Sequence, residues 1–250
     1  MTDVLVSEVF SAIQGEGALV GERQVFLRLT GCNIRCVYCD QPEALERRPG
    51  PCRLERTAGR RDWEWRESPL PMADVAEAVD RLWQALPHHS VSLTGGEPLL
   101  QGGRLAELAP LLVERGHRLY LETNGMLTPA LERVRPWLSH VGMDVKLTSV
   151  DEQGVALETH RQFLRAALGL GVFVKIVVGP RTRTDELAAA MDMVHEEGPD
   201  LEVYLQPLTP FGAADQAPTP EQVLAWQELA LSRHGHVRVV PQTHKMLGQL

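Results

Sequence analysis

The chain lacks any run approaching the roughly eighteen uninterrupted apolar residues of a membrane-spanning helix, so no transmembrane segment is expected. Its start, Met1 to Phe10, lacks the basic residues and apolar core of a secretory signal, which points to a cytoplasmic protein. Basic charge is not in excess: 25 Lys and Arg stand against 33 Asp and Glu, a formal net charge of −8. Duplex nucleic acid is bound through clustered cations that neutralise phosphates, so it is a disfavoured partner. An anionic small molecule needs only one or two basic groups. Internal repeats and low-complexity segments are absent. Cysteine is scarce, with 4 residues, of which Cys32, Cys36 and Cys39 crowd together while Cys52 stands apart. Disulfide frameworks spread their cysteines and belong to secreted chains; a cytosolic cluster reads as metal-binding or catalytic.

What is present is enough for a core: 250 residues, 44% of them hydrophobic and 23% charged. This length suits one large domain, 1–250, and α/β barrels commonly reach it. Short β-branched runs predict strands over 4–10, 24–30, 90–94, 118–122, 141–145, 172–178, 201–206 and 236–240. Amphipathic stretches predict helices over 72–86, 104–115, 128–138, 158–170, 184–197 and 220–234. In the last of these Thr219 can cap and Pro220 suits the first helical position. Alternating strand and helix implies a mostly parallel sheet, because parallel neighbours need crossover connections. The units are fewer than the eight of a closed barrel, so the expected fold is α/β, an incomplete TIM-like barrel. Residues 41–71 interrupt the rhythm with prolines, arginines and the Trp63/Trp65 pair. They read as a solvated insertion, in which 52–57 and 62–66 pair as a hairpin across Ala58-Gly59.

Three thiolates on the short loop Cys32–Cys39 suit three irons of a 4Fe–4S cluster and leave one iron open. A tetrahedral zinc site would need a fourth ligand; His88 and His89 are distant, and Cys52 is the one candidate that could complete it. The CxxxCxxC spacing, with the aromatic Tyr38 before the last cysteine, resembles the signature of radical S-adenosylmethionine (SAM) enzymes. That resemblance implies a 4Fe–4S cluster on Cys32, Cys36 and Cys39, with SAM chelating the open iron and Tyr38 beside its adenine. Ser92-Leu93-Thr94-Gly95-Gly96-Glu97-Pro98 resembles a second superfamily motif, in which Gly95 and Gly96 let backbone approach the ligand and Glu97 accepts from its ammonium. Glu122-Thr123-Asn124-Gly125, Asp144-Val145-Lys146 and Gln206-Pro207-Leu208-Thr209 end successive predicted strands, where barrels collect functional residues. Under the resemblance Asn124, Asp144, Val145, Lys146, Gln206, Pro207, Leu208 and Thr209 join Gly95, Gly96 and Glu97 as SAM contacts.

Three further stretches narrow the likeness. Phe10 to Gly17, Phe26 to Cys32, and Gln242 to Leu250 are similar to those of the 7-carboxy-7-deazaguanine synthase family. The family's reaction converts 6-carboxy-5,6,7,8-tetrahydropterin into 7-carboxy-7-deazaguanine with loss of ammonia, on the route to queuosine and other deazapurines. The likeness implies pterin contacts at Ile13, Gln14, Gly15, Glu16, Thr94 and His244, with Arg28 and the terminal carboxylate of Leu250 also on the substrate. A guanidinium suits a carboxylate because its fork donates two parallel hydrogen bonds. No catalytic side chain beyond the cluster and cofactor is expected. A flavodoxin- or ferredoxin-type electron donor and a homodimer are further implications. The family commonly has Asp then Thr or Ser after the third cysteine, where the hydroxyl binds Mg²⁺. Here the pair is Asp40-Gln41, which puts magnesium dependence in question. Without the terminal motifs, the cysteine loop and Gly95-Gly96-Glu97 would equally suit a glycyl-radical activase.

Overall fold

The computed structural model describes residues 3–152 and 154–249. Six strands come first: β1 Asp3–Val4, β2 Val6–Ile13, β3 Arg23–Leu29, β4 Gly50–Glu55, β5 Trp63–Ser68 and β6 Leu70–Pro71. After α1 Met72–Ala85 the chain alternates: β7 Ser90–Gly95, α2 Gly102–Glu114, β8 Leu119–Thr123, α3 Thr128–Val134, β9 Leu138–Asp144, α4 Thr148–Asp151, α5 Leu157–Ala167 and β10 Gly171–Val178. It closes with α6 Thr184–Glu197, β11 Val203–Pro207, α7 Pro220–Leu231, β12 Val237–Val239 and α8 Thr243–Met246.

Ten strands form one sheet in the order β12-β11-β10-β9-β8-β7-β3-β2-β4-β5. From β3 to β12 every neighbouring pair is parallel, and β2 runs antiparallel to β3. The order has two ends, so the sheet is the incomplete barrel that the element count predicts. Its helices bury their apolar stripes on one face: Val75, Val79 and Leu82 of α1, Leu105 and Leu108 of α2, and Leu187, Met191 and Val194 of α6 join Leu93, Leu121, Val141 and Ile176 of the strands. The α7 start is a full capping box, in which Gln222 N donates to Thr219 Oγ1 (3.3 Å) and Thr219 N donates to Gln222 Oε1 (2.9 Å). Among the described residues no helix is long and apolar enough to cross a membrane.

Three expectations change. The helix expected over 128–138 stops at Val134 and continues as a 3₁₀ turn, Arg135–Trp137. Pro136 has no N–H to donate and its ring opposes the preceding turn, so Leu138 is already in β9. The helix expected to reach residue 170 ends at Ala167, just before Gly169 at φ +88°. The insertion does form the expected hairpin, with Cys52 opposite Arg66 and Glu55 opposite Trp63. It is not a detached solvated loop, however. β4 docks parallel on β2, Glu8 opposite Arg53 and Val9 opposite Leu54, and carries Cys52 and Leu54 into the core. Trp63 packs on the Phe10–Phe26 cluster, while Trp65 stays exposed.

Candidate active site

The carboxyl ends of the parallel strands surround a cavity of about 200 Å³. On one wall the chain leaves β3 through Gly31 into the cysteine loop. Gly31 N donates to Ala44 O (2.8 Å), Cys32 N to Leu45 O (3.0 Å) and Cys39 N to Cys36 O (3.1 Å), so the loop is pinned by backbone bonds. Cys32, Cys36 and Cys39 are all part-buried and line the cavity. Burial pushes the Cys32 and Cys36 thiols up; bound iron takes the thiolate and reverses this. Among the described residues no three His, Cys, Asp or Glu side chains stand close enough to hold a single metal ion. Cys52 plays no part: it is fully buried in the hairpin, its thiol raised to about 11 by burial, and it does not line the cavity. The four-cysteine zinc site has no fourth ligand.

Gly95 ends β7 and Gly96 follows it. A Cβ on Gly95 would strike Leu29 O, and one on Gly96 would strike Gly31 O and Ala44 O. Gly95 thus lets β7 close on β3, Gly96 lets the following turn close on the start of the cysteine loop, and both line the cavity. Glu97 lies deeper. It is 1% exposed, lies outside the cavity lining, and accepts from Leu99 N (3.0 Å), Asn124 N (2.7 Å) and Thr123 Oγ1 (3.0 Å). Burial pushes its carboxyl up to about 7 against those donors. Glu97 therefore fastens the turn that presents Asn124. Asn124 lines the cavity and donates from Nδ2 to Asn33 Oδ1 (2.8 Å), tying the end of β8 to the cysteine loop.

The floor is a buried chain of alternating charge. Lys146 Nζ donates to Tyr38 Oη (3.3 Å) and to Asp144 Oδ2 (2.7 Å). Lys175 of β10 pairs with Asp144 Oδ1 (3.1 Å) and with Glu16. Burial alone would raise the Asp144 and Glu16 carboxyls, but the two lysines reverse it; Asp144 is held low, and Glu16, beside Lys175, falls to about 2. Burial would lower both lysines, and the neighbouring carboxylates hold them high. His160, fully buried, supports this floor from behind: Nδ1 donates to Gly125 O (3.2 Å), and Nε2 accepts from Lys146 N (3.1 Å). Burial drops its pKa to about 4, which keeps that acceptor neutral.

Opposite the cysteines, the end of β2 meets the C-terminal segment. Thr243 N donates to Gly15 O (3.0 Å), and any Cβ on Gly15 would collide with His244. Gln242 Nε2 donates to Glu16 Oε1 (2.7 Å). Gln14 Nε2 and Thr94 Oγ1 both donate to Glu122, at 2.5 and 2.7 Å. Tyr120 and Phe173, ring centroids 6.0 Å apart, supply an apolar wall.

Most of the anticipated residues therefore meet in one cavity: Ile13, Gln14, Gly15, Glu16, Arg28, Tyr38, Gln41, Thr94, Asp144, Lys146, Gln206, Leu208, Thr209 and His244 join the three cysteines. Besides Glu97, Val145 and Pro207 do not line it; Val145 belongs to the core. Leu250 lies outside the described residues. Sequence reasoning missed Lys175, Glu122 and His160. Lys175 had a signal, a lone cation inside the apolar run Gly171–Val178, whereas Glu122 stood in a quoted motif without a role.

These residues fit a cluster and a SAM molecule, with three thiols and a buried, unpartnered Gln206 Oε1 on the cavity wall. Magnesium fits poorly. Asp40 Oδ2 already accepts from Lys245 Nζ (3.0 Å) and Gln242 Nε2 (3.2 Å), and Gln41 offers only an amide beside it.

The sequence pattern of the Radical SAM superfamily matches residues 27–205. The chain is 41% identical over 247 residues to the 7-carboxy-7-deazaguanine synthase of Geobacter sulfurreducens, covering 98% of this chain and 97% of that one. It is 35% identical over 246 residues to the enzyme of the same name from Methanopyrus kandleri, covering 97% and 92%. The crystal structure of QueE from Escherichia coli shares the fold, with a TM-score of 0.59 at 21% identity, over 96% of this chain and 94% of that one. The chain belongs to the radical SAM superfamily and, within it, to the 7-carboxy-7-deazaguanine synthase family.

Proposed function

We propose that this protein is a 7-carboxy-7-deazaguanine synthase, contracting the ring of 6-carboxy-5,6,7,8-tetrahydropterin with release of ammonia. One observation carries the reading. The cysteine loop and the Gln14–Glu16/His244 corner face the same small cavity, joined by the chain Tyr38–Lys146–Asp144–Lys175–Glu16. Cys32, Cys36 and Cys39 hold the cluster. Tyr38, Gly95, Gly96, Asn124, Asp144, Lys146, Gln206, Leu208 and Thr209 hold SAM. When bound, the cluster would pass one electron from an external donor to SAM, and the pair would supply the hydrogen-abstracting chemistry of the reaction.

The chain's own residues orient and enclose. A pterin's amino-pyrimidine edge offers N–H donors, which suit Glu16, held ionised by Lys175, and Glu122, whose oxygens Gln14 and Thr94 set in place. Arg28 faces the substrate carboxylate. Tyr120 and Phe173 keep water from that wall, as containment of a radical requires. A one-electron donor of the flavodoxin or ferredoxin type belongs to the same reading.

The test is product analysis after anaerobic reconstitution with iron and sulfide, followed by incubation with the carboxypterin, SAM and dithionite. The expected product is 7-carboxy-7-deazaguanine with ammonia; SAM cleavage without deazapurine would overturn the proposal. Because Asp40 is engaged by Lys245, the same assay in EDTA is expected to run within about twofold of the rate with added magnesium. A strict magnesium requirement would show that Asp40-Gln41 forms the metal site after all.

A further inference from the structure

The insertion hairpin, unexplained by the family motifs, reaches the cavity wall through Arg53 and Trp63. Arg28, on β3, lines the cavity, and its Nε donates to Glu8 Oε1 (2.6 Å). Glu8, on β2 and 5% exposed, uses its other oxygen for Arg53 of β4, accepting from Nε (2.7 Å) and pairing with Nη2 (2.6 Å). The strand register sets this up, since Glu8 lies opposite Arg28 on one side and Arg53 on the other. Arg53 is held in turn by its guanidinium lying over Trp63, 4.4 Å from the ring centroid. Trp63 packs on the Phe10–Phe26 stack, and Arg28 sits 5.4 Å from the Phe10 centroid. The row therefore joins the hairpin to the cavity wall through packed contacts.

We propose that Arg53 is a positioning residue that keeps Arg28 free to bind the substrate carboxylate. The inference rests on the pterin reading above. Glu8 binds only the Nε edge of Arg28, and among the described residues Arg28 has no other hydrogen-bond partner, so its two terminal nitrogens remain for a two-point bond to a carboxylate. A buried glutamate beside a single arginine would chelate it with both oxygens and cancel its charge. Arg53 prevents this in two ways. It occupies Glu8 Oε2, so Glu8 cannot take a second nitrogen of Arg28. It also adds a second positive charge against one negative, so the row presents net positive charge to the cavity. Trp63 fixes where Arg53 stands. The hairpin thereby contributes to anion selection without entering the cavity.

The test is equilibrium binding to the reconstituted, SAM-loaded enzyme of two ligands, the carboxypterin and the same pterin lacking the carboxylate. Wild type is expected to prefer the carboxypterin. Arg53→Met, which keeps an apolar stem on Trp63, is expected to lose about tenfold of that preference, with unchanged affinity for the uncharged pterin. In turnover, KM for the carboxypterin should rise about tenfold while kcat stays within about threefold. Arg53→Lys keeps the charge but not the two-nitrogen grip on Glu8, and should lose about threefold of the preference. It carries the test if Arg53→Met does not fold. Equal weakening of both ligands would mean that Arg53 merely holds the hairpin, and an unchanged preference would also overturn the inference. Wild type that binds no carboxypterin would instead sink the proposed function.

Discussion

Cys36→Ala is expected to leave a folded protein that takes up no intact cluster and shows turnover at background, while Cys52→Ala keeps both iron and activity. The cysteine loop is pinned by Gly31, Cys32 and Cys39 backbone bonds rather than by its thiols, so removing one sulfur does not unfold it. Under the proposed function each thiol serves its own iron, and with three protein ligands none is redundant. Cys52 sits in the core under the β4–β5 hairpin, away from the cavity. Its replacement opens a small void and costs about 1 kcal/mol of stability. Iron and sulfide content, the cluster absorbance and the unfolding midpoint read both variants. Loss of iron in Cys52→Ala would restore the four-cysteine site that the geometry rejects.

Lys175→Met is expected to destabilise the fold by about 3–5 kcal/mol and to lower kcat/KM by about a hundredfold. Its ammonium is shared by Glu16 and Asp144, and removing one member of a buried ion network strands the others. Asp144 retains Lys146, whereas Glu16 keeps the Gln242 amide and the weaker influence of His244. The activity loss follows from release of Glu16, because misplacement by about an ångström costs on this scale. The pH dependence gives an independent sign. In wild type the Glu16 carboxyl falls from 4.5 to about 2, so its stabilising contribution is present above pH 4.5 and is lost as pH falls toward 2. Without Lys175, burial dominates and the carboxyl rises above its ordinary 4.5, so the variant regains stability as pH falls through that raised value to 4.5 and changes no further below it. Denaturant unfolding at several pH values measures both slopes. Parallel wild-type and variant profiles would show that Lys175 does not hold Glu16 ionised.

The parallel half of the fold was legible because each strand–helix unit carries its own period. The 184–197 helix, with Leu187, Met191 and Val194 on one face, emerged with its predicted bounds. Pro136 displaced a boundary through a missing donor, a local effect that periodicity averages away. The docking of β4 on β2 was hidden for a different reason: a hairpin signal is local, but nothing in 52–57 names the distant strand it pairs with. In the site, residues at strand ends were legible as motifs. Their directions were not, since Glu97 and Asn124 belong to similar turns yet one faces protein and the other the cavity. Lys175 and His160 act through contacts across the sheet, made by side chains far apart in sequence.

The central claim is that the pterin corner at Gln14–Glu16 and the cofactor wall at Cys36–Tyr38 serve one reaction in one cavity. Deuterium on the ring carbon of the carboxypterin that bears the carboxylate tests this most directly. During turnover the label is predicted to enter the 5′-deoxyadenosyl carbon derived from SAM, detected by mass spectrometry of the recovered cofactor. Deazapurine formed with no label in that carbon would contradict the account.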